Sequence, residues 1–172
     1  MRTEIVSAFP CCGKTYAFEH FQNKYKMLDS DSSQFSWMMV KDEHYEMQHR
    51  GEKDYKARMI KIRNPDFPNN YIEHIKENIG EVEIIFVSSH EVVRKAMTDA
   101  GIYFKCVYPK PDMLNEWVGR MYRRGNDDSF IQFIIKNWDS FMHEIIFGDY
   151  RGKGVMRLGN NEYIDVDVAY NW

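Results

Sequence analysis

The sequence is poor in the features that mark several large classes of protein. It has three cysteines among 172 residues, an odd number that argues against a disulfide framework and favours a reducing compartment. No apolar run approaches the length of about 20 residues that a membrane-spanning helix needs. The N-terminus also lacks the apolar core of a signal peptide. We therefore expect a cytoplasmic protein with no membrane partner.

An excess of charge of one sign is also missing. The net charge is −3, from 23 basic and 26 acidic side chains, so there is no general attraction for nucleic acid or anionic membranes. Hydrophobic residues make up 44% of the chain and aromatic residues 15%, which is enough to bury a sizeable core. With no linker or repeat in sight, residues 1–172 are predicted to form a single domain.

The most informative segment is residues 8–15, which fits the phosphate-binding loop pattern with Ala8 in place of its first glycine. A buried strand is predicted before it, over residues 3–8, and a helix after it, over residues 14–22. A loop between a strand and a helix directs several backbone N–H groups into one concavity. The predicted nucleotide-binding residues are Phe9, Pro10, Cys11, Cys12, Gly13, Lys14, Thr15 and Tyr16.

Individual residues of this loop have specific expected roles. Gly13 lets the backbone approach an anion closely, and Lys14 can reach the β- and γ-phosphates of a nucleotide. The Thr15 hydroxyl can bind Mg²⁺. Cys11 and Cys12 are interpreted as filling variable positions, and the helix N-terminus is expected to activate their thiols. A chance match in an ordinary turn is the weaker alternative.

Strands alternate with helices along the rest of the chain. Strands are predicted over residues 25–29, 82–87 and 102–108, and helices over residues 71–79, 91–100, 113–124 and 130–145. Two helical pieces broken near Gly51 are predicted over residues 34–63. A strand, a turn and a second strand are predicted over residues 155–168.

The alternation predicts a parallel α/β sheet with right-handed crossovers. Ligands bind such sheets beyond the carboxyl ends of the strands. We therefore expect one ligand-binding cleft to be lined by the loop and by the segments 29–31, 88–90 and 109–112.

Two acidic residues follow the second predicted strand. Asp29 and Asp31 flank Ser30 in an extended segment, so their side chains point the same way. In phosphoryl transfer, one carboxylate can hold the hydration shell of Mg²⁺ and the other can orient and deprotonate an attacking hydroxyl. We assign Asp29 to the metal, with Thr15, and Asp31 to catalysis and substrate binding. A helix cap and a turn residue are the alternative interpretation.

A further acidic residue is expected at the end of a hydrophobic strand in many nucleotide-hydrolysing proteins, and it is missing here. The apolar run 82–87 ends in Ser88 and Ser89. This weakens the case for a mechanical or switch ATPase more than the case for a small-molecule kinase. His90 follows directly and is a candidate for substrate binding or for a helix cap.

Three arginines end the predicted helix 113–124. Arg120, Arg123 and Arg124 are spaced so that their guanidinium groups share one face. As a lid they could close over a transferring phosphate, with Arg120 and Arg124 catalytic and Arg123 in contact with substrate. Cations that simply favour a helix C-terminus are the alternative.

Two residues of the segment after Asp31 complete the substrate-binding candidates. The basic residues of segment 50–63 are best interpreted as a solvated face, with contact to a nucleic-acid backbone as the alternative. Arg63, just before a proline-containing loop, is the best single candidate for a substrate phosphate. Trp37 could stack on a base, although aromatic residues more often belong to a core.

These motifs resemble the P-loop nucleoside and nucleotide kinase-like superfamily, and more narrowly the small kinase-like proteins encoded by Bacillus phages and prophages. Segments 7–15, 28–33, 67–72 and 86–90 carry the resemblance, which covers residues 1–147 in element order. It implies a three-layer α/β/α sandwich around a mainly parallel five-stranded sheet, a helical lid, and ATP with Mg²⁺.

The resemblance also implies an activity. The acidic turn 29–31 is similar to the turn of shikimate- and gluconate-type kinases, where the second aspartate touches the substrate hydroxyl, so Asp31 would be the base. The implied function is an ATP-dependent phosphotransferase for a small acceptor, a nucleoside or nucleotide. A kinase for a hydroxyl of nucleic acid or sugar stays open, although nucleic acid is not favoured as a partner. A regulatory nucleotide-binding module and a homodimer also stay open.

Overall fold

The computed structural model describes residues 2–148 and 154–171. The strands are β1 Glu4–Ala8, β2 Met27–Asp29, β3 Trp37–Lys41, β4 Met59–Arg63, β5 Ile84–Ser88, β6 Lys105–Pro109 and β7 Gly154–Leu158. The helices are α1 Lys14–Phe21, α2 Ser33–Ser36, α3 Glu43–His49, α4 Asn69–Asn78, α5 Glu91–Asp99, α6 Leu114–Arg124, α7 Asp128–Phe147 and α8 Val166–Asn171. A 3₁₀ turn, Pro111–Met113, precedes α6.

Five parallel strands form the central sheet, in the order β2-β5-β1-β6-β7. β1 lies at the centre and pairs with β5 on one side and with β6 on the other. The α/β class and the parallel five-stranded sheet predicted from the sequence are confirmed. β5 is almost continuously apolar because both of its faces are covered, and Ile84, Ile85 and Phe86 are fully buried.

Helices cover both faces of the sheet, consistent with a three-layer sandwich. The connection from β1 to β2 contains α1 and runs toward one edge of the sheet. The connections that contain α4, α5 and α7 run toward the other edge, so right-handed crossovers place these helices on the face opposite α1. Lys24 Nζ and Tyr25 Oη, just beyond α1, donate hydrogen bonds of 2.7 and 2.6 Å to Asp167 of α8. α8 therefore shares a face with α1. No helix in the described part of the chain has the length and apolar character needed to cross a membrane.

The prediction for residues 34–63 is wrong. Instead of two helical pieces broken near Gly51, β3 and β4 form a separate antiparallel hairpin, with the short helices α2 and α3 on either side of β3. Side chains alternate between the two faces of this hairpin, and Met38, Val40, Ile60 and Ile62 share one of them. Methionine and lysine favour helices by intrinsic propensity, and they obscured the alternation of apolar and polar residues that marks a strand.

The prediction for the end of the chain is half wrong. β7 joins the sheet parallel to β6, and the predicted second strand is the helix α8. Val166 and Ala169 are buried three residues apart, as a helix requires, and Asp165 Oδ1 accepts a hydrogen bond from Val168 N at 3.0 Å. The β-branched residues of segment 163–168 favoured a strand by local propensity, and this helical packing overrides it.

Candidate nucleotide site

The loop between β1 and α1 lies at the carboxyl end of the central strand. The chain leaves β1 toward one edge of the sheet and leaves β6 toward the other. A crevice beyond two such strands is where open α/β sheets bind ligands. Phe9 N donates a 2.8 Å hydrogen bond to Val107 O of β6, which holds the loop at this point.

The backbone of the loop is arranged to accept an anion. Cys11 and Gly13 are left-handed, with φ of 63° and 100°. Such residues within a loop turn successive N–H groups toward a common point. α1 begins at Lys14 with no side-chain cap and no acidic residue in its first turn, so its first amides lack intrahelical partners.

Gly13 is also constrained by its surroundings. A Cβ at this position would lie 3.2 Å from Cδ1 of Tyr163, which belongs to the segment after β7. Ile164 N of the same segment donates a 3.0 Å hydrogen bond to Cys12 O. The left-handed backbone favours glycine at this position, and the close approach of Tyr163 leaves little room for a side chain.

The loop forms the floor of a cleft of about 810 Å³. The remaining walls come from the segment after β2, the segment after β5, the end of α6 and one face of α7. Most of the predicted site residues line the cleft, namely Phe9, Pro10, Cys11, Cys12, Gly13, Lys14, Thr15, Tyr16, Asp29, Asp31, His90, Arg120, Arg123 and Arg124. Trp37 and Arg63 lie outside its lining, and so does the predicted segment 109–112.

Lys14 is the cation closest in sequence to the open amides of α1. It is half-buried, and within residues 2–148 and 154–171 its ammonium group has no hydrogen bond or ion pair. Burial lowers its pKa, while the carboxylates of Asp29 and Asp31 act in the opposite direction. A partly desolvated cation without a hydrogen-bonding partner is well suited to bind an anion.

The two carboxylates differ in their surroundings. Burial raises the pKa of Asp29, and the charge of Lys14 opposes that effect. Asp31 Oδ1 accepts a 2.9 Å hydrogen bond from Ser33 N, so one of its oxygens stabilises the turn before α2. Asp31 therefore both stabilises the turn and lines the cleft.

A metal ion would depend on the ligand for part of its coordination. Among the described residues, no group of three His, Cys, Asp or Glu side chains is placed to hold a metal ion. Thr15 and Asp29 offer a hydroxyl and a carboxylate in the same cleft. That small set fits Mg²⁺, which usually keeps several waters and binds one or two carboxylates together with substrate phosphates.

Tyr71 fixes the acidic turn, a role that the sequence patterns did not assign to it. Its ring is fully buried on α4, and its hydroxyl donates a 2.7 Å hydrogen bond to Ser30 O and accepts one of 3.4 Å from Ser88 N. It therefore joins the ends of β2 and β5. Burial raises the pKa of Tyr71 to about 12, so the hydroxyl keeps its proton at neutral pH. A buried tyrosine usually finds such a partner, which is the only signal that the sequence offered.

Arg120 is buried, with 4% of its surface exposed. Its guanidinium group lies between the rings of Trp117 and Tyr163, 4.0 and 4.1 Å from their centroids. Nη1 donates a 2.8 Å hydrogen bond to Glu162 O, and Nε bonds Glu116 Oε1 at 2.9 Å. These contacts tie α6 to the segment after β7.

Arg123 and Arg124 differ from Arg120 because they are exposed at the rim of the cleft. Arg123 Nη2 lies 3.8 Å from Glu116 Oε1. Arg124 lies near the Cys11 thiol; burial raises the pKa of this thiol, and the charge and hydrogen bond of Arg124 oppose that effect in part. Of the three arginines, these two have side chains that are accessible to a ligand in the cleft.

The prediction of activated thiols is wrong. Burial raises the pKa of Cys11 and, to a larger extent, of Cys12, and this outweighs the opposing charges of Arg124 and Arg120. Cys12 is 1% exposed and its Sγ donates to Val107 O at 3.7 Å. Desolvation of a thiolate on the core side of the loop dominates over the helix N-terminus.

The part of the cleft wall formed by α7 and the loop is aromatic. Phe141 of α7 lies 6.2 Å from Phe9 of the loop and 5.7 Å from Phe133, between ring centroids. Beside it, the buried Arg94 forms an ion pair with Glu144. His90 remains exposed at the rim, and its pKa is lowered by desolvation and by the charge of Arg94. A ligand in this cleft would meet both an apolar surface and charged groups.

Comparison with protein-family models gives no match, and comparison with curated proteins gives none either.

Proposed function

We propose that this protein is an ATP-dependent phosphotransferase of the P-loop kinase type. Lys14 is the main support, because its half-buried ammonium group lacks a hydrogen-bonding partner among the described residues and adjoins the open amides of α1. A nucleoside triphosphate would provide partners for the Lys14 ammonium group and for these amides, since its β- and γ-phosphate oxygens accept hydrogen bonds and carry negative charge. The loop residues 9–16 would surround those phosphates.

The residues around Lys14 suggest how the transfer would proceed. When bound, Mg²⁺ supplies charge neutralisation for the phosphates, and Thr15 and Asp29 are the residues that would hold it. Asp31 would accept the proton of an attacking hydroxyl. Arg123 and Arg124, exposed at the end of α6, would act as the helical lid over the phosphate in transit.

The acceptor would occupy the part of the cleft between the acidic turn and α7. Phe133 and Phe141 offer an apolar surface there, and His90 lies at the rim. A flat, partly apolar molecule that carries a hydroxyl or a phosphate fits these surroundings, which supports a nucleoside or nucleotide acceptor.

A phosphate-transfer assay tests this function. The protein is incubated with Mg²⁺, γ-labelled ATP and a panel of nucleosides, nucleoside monophosphates and single-stranded oligonucleotides. We expect ADP release to depend on one class of acceptor, with the label recovered in that acceptor. If ATP binds but no acceptor accelerates ADP release, phosphotransfer is contradicted and a regulatory nucleotide-binding module becomes the better account.

A further inference from the structure

The two faces of the β3–β4 hairpin differ in chemistry. Directly paired residues of an antiparallel hairpin share a face, and the register pairs residue 37 with 63, 39 with 61 and 41 with 59. One face is the apolar face described above. The other, here called the basic face, consists of Trp37, Met39, Lys41, Met59, Lys61 and Arg63.

The basic face carries three cations and no acidic residue. Within the described residues, Lys41, Lys61 and Arg63 form no ion pair. Asp42, the next acidic residue along the chain, is in register with the residues of the apolar face rather than the basic face. Its Oδ2 lies 3.6 Å from Arg58 Nε. The positive charge of the basic face is therefore not neutralised locally, although the chain as a whole is slightly acidic.

An aromatic ring lies among these cations. The Arg63 guanidinium carbon is 4.1 Å from the centroid of the Trp37 ring, and Lys61 Nζ is 5.1 Å from it. Lys61 and Arg63 are two residues apart on one strand, a separation of roughly 6.6 Å. A row of cations beside an aromatic platform is the combination with which proteins hold a single strand, through phosphate contacts and base stacking.

We propose that the basic face binds single-stranded nucleic acid. This rests on the proposed function, because it makes the strand the carrier of the hydroxyl that receives the phosphate. β3 follows the acidic turn after only the short helix α2, so a strand lying along the basic face could deliver one nucleotide to the cleft. Asn70 Nδ2 of α4 donates a 3.0 Å hydrogen bond to Phe35 O just before β3, and Tyr71 of the same helix bonds Ser30 O of the acidic turn at 2.7 Å, so the start of β3 is held beside that turn.

Binding of a fluorescein-labelled oligothymidylate, followed by anisotropy over a range of salt concentrations without ATP, tests the proposal. The test variant is Lys61→Ala/Arg63→Ala, and the matched control is Lys95→Ala/Lys136→Ala, which removes two exposed cations from α5 and α7. Each phosphate contact to a single strand contributes about 0.7 to the slope of log K against log[salt]. We expect the test variant to lower that slope by about 1.4 and affinity by at least about tenfold, with the control unchanged.

Two further arms test the role of Trp37. Trp37→Leu is expected to weaken binding while leaving the salt slope intact, because stacking releases no counterions. A duplex of the same length is expected to bind more weakly than the single strand, because its bases are paired. Equal loss of affinity in the test and control variants, or tighter binding of the duplex, would overturn the proposal.

The binding and transfer results are separable. If the Lys61→Ala/Arg63→Ala protein binds the strand normally yet phosphate reaches a free nucleoside, the basic face is not a nucleic-acid site and the proposed function stands. If the strand binds through this face and no acceptor of any kind is phosphorylated, the proposed function fails while the binding surface remains.

Discussion

Asp31 is the residue at which turn formation and proposed chemistry separate most cleanly. Asparagine can accept the same hydrogen bond from Ser33 N and caps a helix as well as aspartate does, but it cannot take a proton from a hydroxyl. We expect Asp31→Asn to keep its melting temperature and its affinity for Mg-ATP. Transfer to a hydroxyl acceptor should fall by on the order of 100-fold, measured in single-turnover kinetics. Normal turnover would contradict the assignment of the base.

Asp29→Asn is the matched control because it removes the neighbouring carboxylate. It should raise the Mg²⁺ concentration needed for half-maximal turnover. Burial raises the pKa of Asp29 in the folded protein, so its ionisation costs stability as pH rises above the ordinary value near about 4. The variant is therefore expected to gain melting temperature relative to wild type as pH increases through that range. A relative loss over the same range would mean that the carboxylate is stabilised rather than desolvated.

At the scale of elements, α6 carries one buried arginine and two exposed ones. Arg120→Ala removes the hydrogen bonds to Glu116 and Glu162 and the packing between two rings. Removing one partner of a buried ion pair lowers the free energy of unfolding by roughly 3 kcal/mol. The exposed Arg124→Ala should change the free energy of unfolding by less than about 0.5 kcal/mol. Urea denaturation measures both values. We expect Arg124→Ala to lower the turnover of phosphate transfer without changing the stability of the fold.

Equal stability of the two variants would contradict the buried position of Arg120. Unchanged single-turnover rates in the Arg123 and Arg124 variants would make the end of α6 ordinary solvated surface.

The elements also differ in how far the sequence could predict them. The strand–loop–helix unit around residues 8–15 and the strand β5 follow from local patterns, a glycine-containing loop and a continuous apolar run, and both were predicted. Arg120 and Tyr71 owe their roles to partners about 40 residues away in the sequence, Glu162 and Ser30, which no local pattern reveals. The β3–β4 hairpin was missed because its alternation competes with helix-forming residues.

At the scale of the whole molecule, the alternation of strands and helices predicted a parallel sheet but not its order. Right-handed crossovers fix on which face a helix lies, and they do not decide that β5 inserts between β1 and β2. That order places the loop between β5 and β6 and brings the acidic turn, His90 and the arginines of α6 around it. Most of the residues chosen from the sequence therefore line one cleft, with Trp37 and Arg63 as exceptions, while their arrangement required the fold.

Calorimetric titration of Mg-ATP into the wild type and Lys14→Ala tests the central claim most directly, with Lys95→Ala as the control for loss of an exposed lysine. Lys14 lies beside the open amides of α1, and its side chain has no hydrogen bond or ion pair in the described part of the chain, so the substitution should leave the melting temperature unchanged. We predict saturable binding to the wild type and to Lys95→Ala, and an affinity lower by at least about tenfold, or about 1.4 kcal/mol, for Lys14→Ala. Equal affinity in all three proteins, or no binding to the wild type, would contradict the account.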